Sequence, residues 1–124
     1  LGLYDYLKNE YKTITVPFTE SIKYYTSDFN YFHWIDAKNN WYTSDIFGKI
    51  TFKRVVSDFD LIEICSENQY IYSKSGTLIL QDVEKDKKYE IKISEKTFTK
   101  FFYKDQILSI FTKEGITNYK IVTP

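Results

Sequence analysis

Two side chains in this sequence could serve in nucleophilic catalysis, and neither lies in a recognisable motif. Cys65 and His33 are the only cysteine and the only histidine of the chain. A serine with His33 and either Asp28 or Asp36 would be the only hydroxyl triad. Cys65 follows the apolar residues 61–64, a setting in which cysteine usually serves as a small buried side chain. His33 lies among aromatic residues, so we predict no catalytic residue here.

Metal and cofactor chemistry finds little support either. One histidine and one cysteine cannot form a zinc tetrahedron. The four glycines are isolated from one another, so no phosphate-binding or dinucleotide-binding loop is formed. Among the acidic residues, Glu63 is the best candidate for a carboxylate of raised pKa, because it interrupts an apolar run. If its side chain faces solvent instead, Glu63 is an ordinary surface residue of the sheet. The sequence predicts no metal and no cofactor.

Aromatic residues are concentrated between positions 24 and 42, where eight of nineteen residues are aromatic. Alternation along a strand places Tyr31 and His33 on one face. It places Phe32 and Trp34 on the other face. Both rows cannot lie in solvent, so one should pack in the core and the other should meet the N-terminal segment, a ligand or another protein.

The predicted binding surface is built from this cluster. Large stiff rings with a polar atom are favoured at the centres of protein interfaces, and a charged rim adds specificity. The same rings could stack on sugars, or they could form an aromatic core covered by the N-terminal helix. The candidate binding residues are Tyr31, His33, Trp34, Trp41, Tyr42, Asp36 and Lys38.

A second unusual segment runs from Val83 to Lys104 and contains seven lysines among several aromatic residues. Lysines interleaved with aromatics are used in grooves for single-stranded nucleic acid. Four acidic residues in the same segment offset this charge, and lysines also protect edge strands from aggregation. We therefore predict a solvated edge and no nucleic-acid binding.

Length and charge narrow the remaining classes. A chain of 124 residues and 14.9 kDa suits a single domain with one core. Seventeen basic residues balance seventeen acidic ones, so no net field attracts nucleic acid or an anionic membrane. No apolar stretch approaches the ~18 residues of a membrane span, and a lone cysteine excludes an internal disulfide. Compartment stays open: the cytoplasm is slightly favoured, and secretion after removal of a leader is permitted.

The elements predicted along the chain are a helix followed by strands. Apolar residues at helical spacing predict a short amphipathic helix over residues 1–13. Residues 14–28 form a connector or edge segment, in which a short helix from Thr19 to Tyr25 would have a capping residue. Residues 29–124 predict an antiparallel meander, as a sandwich or barrel of about eight to ten short strands. The strands are expected at 29–35, 41–45, 49–55, 61–66, 70–73, 77–81, 89–93, 98–103, 107–111 and 118–122.

Three hairpins show weak internal similarity around Gly48, Gly76 and Gly115. The hairpin at residues 71–78 is similar to those of a β-propeller blade, but the chain is too short for a closed propeller of four blades. The glycine offsets of 28 and 39 residues are uneven, which favours shared turn chemistry over internal duplication. No family is recognised.

Taken together, these absences favour a non-catalytic protein-binding module of the inhibitor, immunity or antagonist type, which occludes a partner through an aromatic sheet face. Another protein is the expected partner, and a homodimer is compatible with the same surface. The alternative is a secreted or surface domain that binds carbohydrate or another small ligand. A third interpretation is a hydrolase with a carboxylate pair or a site centred on His33.

Overall fold

The computed structural model of the chain describes residues 2–5, 10–13, 21–27 and 30–122, the first two ranges by their backbone alone. Within these ranges every regular element is a β-strand, and all paired strands run antiparallel. The prediction of a mainly β, antiparallel chain is confirmed.

Thirteen strands lie in the described ranges. They are β1 (Gly2–Asp5), β2 (Glu10–Thr13), β3 (Ile22–Ser27), β4 (Tyr31–Asp36), β5 (Asn40–Asp45), β6 (Ile50–Val55), β7 (Leu61–Ile64), β8 (Gln69–Lys74), β9 (Thr77–Asp82), β10 (Lys87–Ile91), β11 (Lys100–Lys104), β12 (Ile107–Thr112) and β13 (Gly115–Lys120).

Each sheet is a meander in which a strand pairs with the next one along the chain. β1 and β2 form a hairpin, and the larger sheets have the orders β3-β4-β5-β6, β7-β8-β9-β10 and β11-β12-β13. Short turns make such neighbours pair first, since little chain must be ordered to close them. Internal contacts divide the chain into two compact units, Leu1–Ser57 and Asp58–Pro124. The single-domain organisation stays a prediction.

The N-terminal predictions have different outcomes. The helix over 1–13 stays a prediction, because residues 1 and 6–9 lie outside the described residues; β1 and β2 are described on either side of 6–9. The short helix from Thr19 to Tyr25 is wrong where the structure describes it, because β3 begins at Ile22. Residues of β3 alternate between half-buried and exposed, a period of two that its aromatic and β-branched residues favour. β3 lies at a sheet edge.

The three larger sheets recur at a regular spacing. Their second strands, β4, β8 and β12, begin at Tyr31, Gln69 and Ile107, so successive starts are 38 residues apart. The spacing of the turn glycines does not show this period, because Gly48 follows the third strand of its sheet, whereas Gly76 follows the second strand of its own. The uneven glycine offsets are thereby explained, and the structure favours a repeated sheet over shared turn chemistry alone.

In the unit Asp58–Pro124, a hydrophobic core cluster joins residues of the β7–β10 sheet and the β11–β13 sheet. Alternation turns every second side chain of each strand toward this core. Its fully enclosed members are Ile71, Leu78, Leu80, Phe101, Leu108 and Ile110. Burying an aliphatic or aromatic side chain of this size contributes about 1.5–3 kcal/mol.

This packing predicts that two isoleucine-to-alanine substitutions lower the free energy of unfolding by different amounts. Ile110 is fully buried, whereas Ile116 on the neighbouring strand is 60% exposed. Ile110→Ala should lower the free energy of unfolding by about 2–5 kcal/mol because it leaves a cavity. Ile116→Ala should change it by less than about 0.5 kcal/mol. Urea denaturation measures both, and equal losses would contradict this assignment of the core.

Candidate functional site

One face of the β3–β6 sheet carries a continuous row of aromatic rings. The strand register places Tyr25 opposite Trp34, Trp34 opposite Tyr42, and Tyr42 opposite Phe52. Directly opposed residues share a face, so each of the four strands contributes one ring. Phe32 adds a fifth ring, because it stands two residues before Trp34. We call these five residues the aromatic row.

The rings of the aromatic row touch in sequence across the sheet. Ring centroids are 6.2 Å apart for Tyr25 and Phe32, and 5.7 Å apart for Phe32 and Trp34. Trp34 and Tyr42 stack at 5.6 Å, and Tyr42 meets Phe52 edge-on at 5.5 Å. These separations fall in the favourable range for aromatic pairs, each contributing about 0.5–1.5 kcal/mol beyond simple burial.

Burial decreases from the middle of the aromatic row toward its ends. Trp34 has no exposed surface, and Phe32 and Tyr42 are half-buried. Tyr25 and Phe52, on the two edge strands, are exposed by 69% and 52%. The surface available to a partner is therefore supplied by the ends of the row, while its centre holds the rings in place.

Val55 is a further exposed apolar residue of β6 on the face of the aromatic row. A β-bulge between Trp41 and Tyr42 lets Phe52 and Val55, three residues apart, share one face of the sheet. Val55 and Phe47, in the β5–β6 turn, are both largely exposed. Phe52 is absent from the candidate binding residues predicted from the sequence, because it becomes the neighbour of Tyr42 only through the strand register.

The opposite face of the same sheet contains His33 and Trp41, both buried. The indole Nε1 of Trp41 donates a hydrogen bond to Nδ1 of His33 at 3.3 Å. This bond needs an unprotonated Nδ1, so the imidazole supplies a lone pair to the fold rather than to a substrate. Tyr31 lies beside His33, and Lys53 Nζ lies 5.8 Å from the centre of the Trp41 ring. The ring contacts thus place Tyr31 with His33 on one face and Phe32 with Trp34 on the other, as the alternation predicts.

Asp36 closes the β4–β5 turn. Its Oδ1 accepts hydrogen bonds from the backbone amides of Lys38 and Asn40, both at 2.9 Å, and its Oδ2 accepts one from Asn40 Nδ2 at 3.0 Å. Burial raises the pKa of Asp36, but the side-chain bond from Asn40 and the two backbone bonds outweigh it, so the pKa lies below its ordinary value. Asp45 holds the next turn by accepting bonds from the amides of Phe47 and Lys49.

The seven candidate binding residues therefore occupy different environments. His33, Trp34, Trp41 and Asp36 are buried. Tyr31 and Tyr42 are half-buried, and Lys38 is exposed. Their role in binding stays a prediction, and the buried four can act on a partner only through the exposed residues that they support.

Cys65 is a packing residue of the second unit. It lies against the core cluster, with its Sγ 3.7 Å from the carbonyl oxygen of Glu63, to which it donates. Burial raises the pKa of its thiol to about 12, and the nearby Glu63 carboxylate adds to this. A thiol with that pKa is almost wholly protonated at neutral pH, so it is a poor nucleophile. Glu63 itself is half-buried.

An open cleft of about 740 Å³ lies in the second unit, between the β10–β11 connection and the β12–β13 turn. It is lined by Ser94, Glu95, Lys96, Thr97, Phe98, Thr99, Thr112, Lys113 and Glu114. Glu95 accepts hydrogen bonds from the Tyr119 hydroxyl at 2.6 and 2.8 Å, and chiefly this contact lowers its pKa. Phe98 is the one aromatic residue of the lining, so the cleft lacks the aromatic walls expected of a sugar-stacking site.

Neither a cluster of metal-ligating side chains nor a membrane-spanning helix occurs in the described ranges. No group of three or more histidine, cysteine, aspartate or glutamate side chains there could hold a metal ion. Nor does any helix in those ranges have the length and apolarity to cross a membrane. β10, which carries Lys87 and Lys88, is an edge strand, the position where lysines protect against aggregation.

Comparison with known proteins extends only to the fold. No family model and no curated protein matches the chain. Among solved structures, the chain is similar to that of the computationally designed Ika4 protein, with a TM-score of 0.55 and 13% sequence identity. The match covers 90% of this chain and 98% of the designed one.

The raised pKa of Cys65 predicts slow reaction with thiol reagents. In the folded protein at pH 8, roughly one thiol in ten thousand would be ionised. Alkylation by iodoacetamide should be at least ~100-fold slower than for Ser66→Cys in a Cys65→Ser background, because position 66 is exposed. Labelling followed by mass spectrometry gives both rates. Comparable rates in the two folded proteins would contradict the half-buried, protonated thiol.

The turn held by Asp36 predicts a loss of stability in acid. Because the pKa of folded Asp36 lies below its ordinary value of 3.8, its stabilisation is complete above that value and is lost as pH falls through the folded pKa. Asp36→Asn removes this titration. The stability difference between wild type and variant should therefore be largest near neutral pH and shrink below about pH 4.

Urea unfolding over a series of pH values measures this difference, with Asp105→Asn in an exposed turn as the matched control. A difference for Asp36→Asn that stays constant down to low pH would refute the proposed role of its charge.

Proposed function

We propose that this chain is a non-catalytic protein-binding module of the inhibitor, immunity or antagonist type, which covers part of a partner's surface with the aromatic row. One observation carries the proposal: the row spans four strands and exposes its ends, Tyr25 and Phe52. Exposed rings grouped on one sheet face are characteristic of binding surfaces.

Rigidity is the first argument for this function. Trp34 is enclosed between Phe32 and Tyr42, so the centre of the row cannot rearrange without losing ring contacts. Rings that are already fixed lose little conformational entropy when a partner binds. The row thus supplies preorganised apolar area, the kind of surface on which tyrosine and tryptophan dominate binding energy.

The surroundings of the row are the second argument. On β4, β5 and β6, the residues that share its face include one charged side chain, Asp36, which is buried and occupied by its turn. The remaining neighbours on these strands are Asn40, Ser44, Ile50 and Val55. On these three strands the face thus has no exposed charge and few hydrogen-bonding groups, which fits an apolar protein patch better than a polar small molecule.

The predicted candidates acquire distinct roles in this proposal. Trp34 holds the rings from within, and the hydrogen-bonded pair of Trp41 and His33 supports the sheet from its other face. Asp36 fixes the turn that presents Lys38. Tyr31 and Tyr42 are half-buried, and Tyr42 leads directly to exposed Phe52.

A carbohydrate-binding or small-ligand-binding domain is the alternative proposal, since exposed Tyr25 and Phe52 could stack on sugar rings. It is less well supported, because a sugar site is usually concave with aromatic walls.

For the fold, we retain the layered β arrangement predicted from the sequence. Its support is the shared core between two face-to-face sheets in the unit Asp58–Pro124.

Two matched substitutions test the function. Phe52→Ala and Phe102→Ala remove rings of similar exposure, 52% and 48%, from different sheets. If the aromatic row binds a partner, tagged wild type and Phe102→Ala should capture the same stoichiometric protein from the native lysate. Phe52→Ala should lose at least ~10-fold of that capture, the effect of removing an interface anchor.

Circular dichroism and urea unfolding of each variant establish that the loss is not due to unfolding. Retained capture by folded Phe52→Ala and by folded Tyr25→Ala would refute binding through the aromatic row. Capture of a glycan instead of a protein would support the alternative.

A further inference from the structure

The β11–β13 sheet has one face turned away from the core cluster, and aromatic rings and lysines lie on it together. Strand register places nine residues there, and we call this set the outer face: Lys100, Phe102, Lys104, Ile107, Ser109, Phe111, Ile116, Asn118 and Lys120. Phe102 is 48% exposed, and the three lysines are exposed. The outer face therefore presents three cations and an accessible ring, with no carboxylate among its nine residues.

The carboxylates that offset the lysines of this segment in the sequence lie elsewhere in the structure. Glu84 and Asp86 belong to the β9–β10 turn, and Glu90 lies on β10, where it pairs with a lysine of its own. Glu95 is bound by the hydroxyl of Tyr119, a residue on the core side of β13. The sequence predicts no nucleic-acid binding because it counts these charges together, and the fold separates them.

Two other carboxylates lie in the turns of the same sheet. Asp105 directly follows Lys104 in the β11–β12 turn, and Glu114 directly follows Lys113 in the β12–β13 turn. Counting the outer face with these two turns, four lysines stand against two carboxylates. Because charges on a surface act over about 8 Å at physiological salt, this local excess attracts an anionic ligand although the whole chain is neutral.

The cations of β11 flank its exposed ring. Lys100 and Lys104 stand two positions before and after Phe102 on the same face, about 7 Å away along the strand on either side. A nucleotide within a nucleic-acid strand has the matching order, with a phosphate on each side of its base. Lys120 lies on the same row of the sheet as Lys104, since both are in register with Ile107.

Polar groups occupy the middle of the outer face. Ser109, which is in register with Phe102, donates a hydrogen bond from its Oγ to Oδ1 of Asn118 at 2.7 Å. This bond leaves the two Nδ2 hydrogens of the exposed Asn118 side chain for another acceptor. A lipid surface or an apolar protein patch would desolvate these groups without replacing their hydrogen bonds, which is unfavourable.

Unpaired bases fit this combination of groups. Each base offers a flat face that stacks on an aromatic ring and an edge with hydrogen-bond donors and acceptors. Lysines bind the phosphates between the bases. In a duplex the base faces are stacked on one another, so an exposed ring on a sheet has no base face to meet.

We propose that the outer face binds single-stranded nucleic acid, with Phe102 stacking on an unpaired base. Lys100 and Lys104 contact the phosphates on either side of that base, and Lys120 contacts a further phosphate. Ser109 and Asn118 lie beside Phe102 and hydrogen-bond to a base edge. This inference does not rest on the proposed function, because the outer face and the aromatic row belong to different sheets.

Fluorescence anisotropy with labelled oligothymidylate and oligouridylate, each of about twelve nucleotides, tests the proposal at the site sizes usual for single strands. Wild type should bind both single strands at low salt and a duplex of the same length at least ~10-fold more weakly. For three phosphate contacts, the logarithm of the association constant should fall against the logarithm of salt concentration with a slope of about −2. Comparing the DNA and RNA strands shows whether the 2′-hydroxyl contributes.

Matched variants separate stacking from charge. Phe102→Ala should weaken binding by ~5-fold to ~100-fold, whereas Phe52→Ala, of similar exposure, should leave it unchanged. Lys104→Gln should reduce the salt slope by about 0.7, whereas Lys87→Gln on β10 should not change it. Circular dichroism and urea unfolding establish that each variant is folded.

A wild type that binds neither single strand at protein concentrations up to ~100 µM, the upper range of non-specific affinity, would overturn the inference. Equal affinity of wild type and folded Phe102→Ala, or equal binding of duplex and single strand, would also overturn it, because base stacking would then play no part. If the protein instead binds vesicles of phosphatidylcholine and phosphatidylserine and no oligonucleotide, the outer face is a lipid-binding surface and the inference is wrong. None of these results bears on the proposed function, which is tested by capture through Phe52.

Discussion

The β3–β6 sheet depends above all on the register between β4 and β5. That register sets Trp34 opposite Tyr42, so the rings stack on one face. It also lets Trp41 reach the ring of His33 on the other face. A slip of one residue would exchange the two faces and separate both pairs. Asp36 fixes the register at its start, because its carboxylate holds the turn from which both strands run.

A second consequence of this register is that buried and exposed rings belong to one structure. Trp34 contributes stability by lying between other rings, and the same contacts extend outward to Tyr42 and Phe52. The distinction between an aromatic core and an aromatic binding face, which the sequence leaves open, therefore does not apply to whole strands. It applies along the row, where the centre is core and the ends are surface.

Sequence reasoning located strands well and relations between strands poorly. Ten predicted runs overlap β4 to β13, with bounds that differ by up to three residues, because short apolar runs bounded by turn residues carry a local signal. The 38-residue period was missed, since Gly48 and Gly76 follow strands of different rank in their sheets. Phe52 was missed as a neighbour of Tyr42 because that contact arises from register and a β-bulge. The burial of Trp34 and Trp41 on opposite faces likewise depends on pairing, which periodicity alone does not specify.

The repeat gives a physical reason why this chain should present both an aromatic and a lysine-bearing apolar surface. The β7–β10 sheet holds buried side chains on both of its faces, as Ile71 and Tyr72 on adjacent positions of β8 illustrate. The same positions in β12 are Ser109 and Ile110, of which only Ile110 is enclosed. The β11–β13 sheet keeps Phe102, Ile107 and Ile116 exposed on the face turned away from its core, beside three lysines, Ser109 and Asn118.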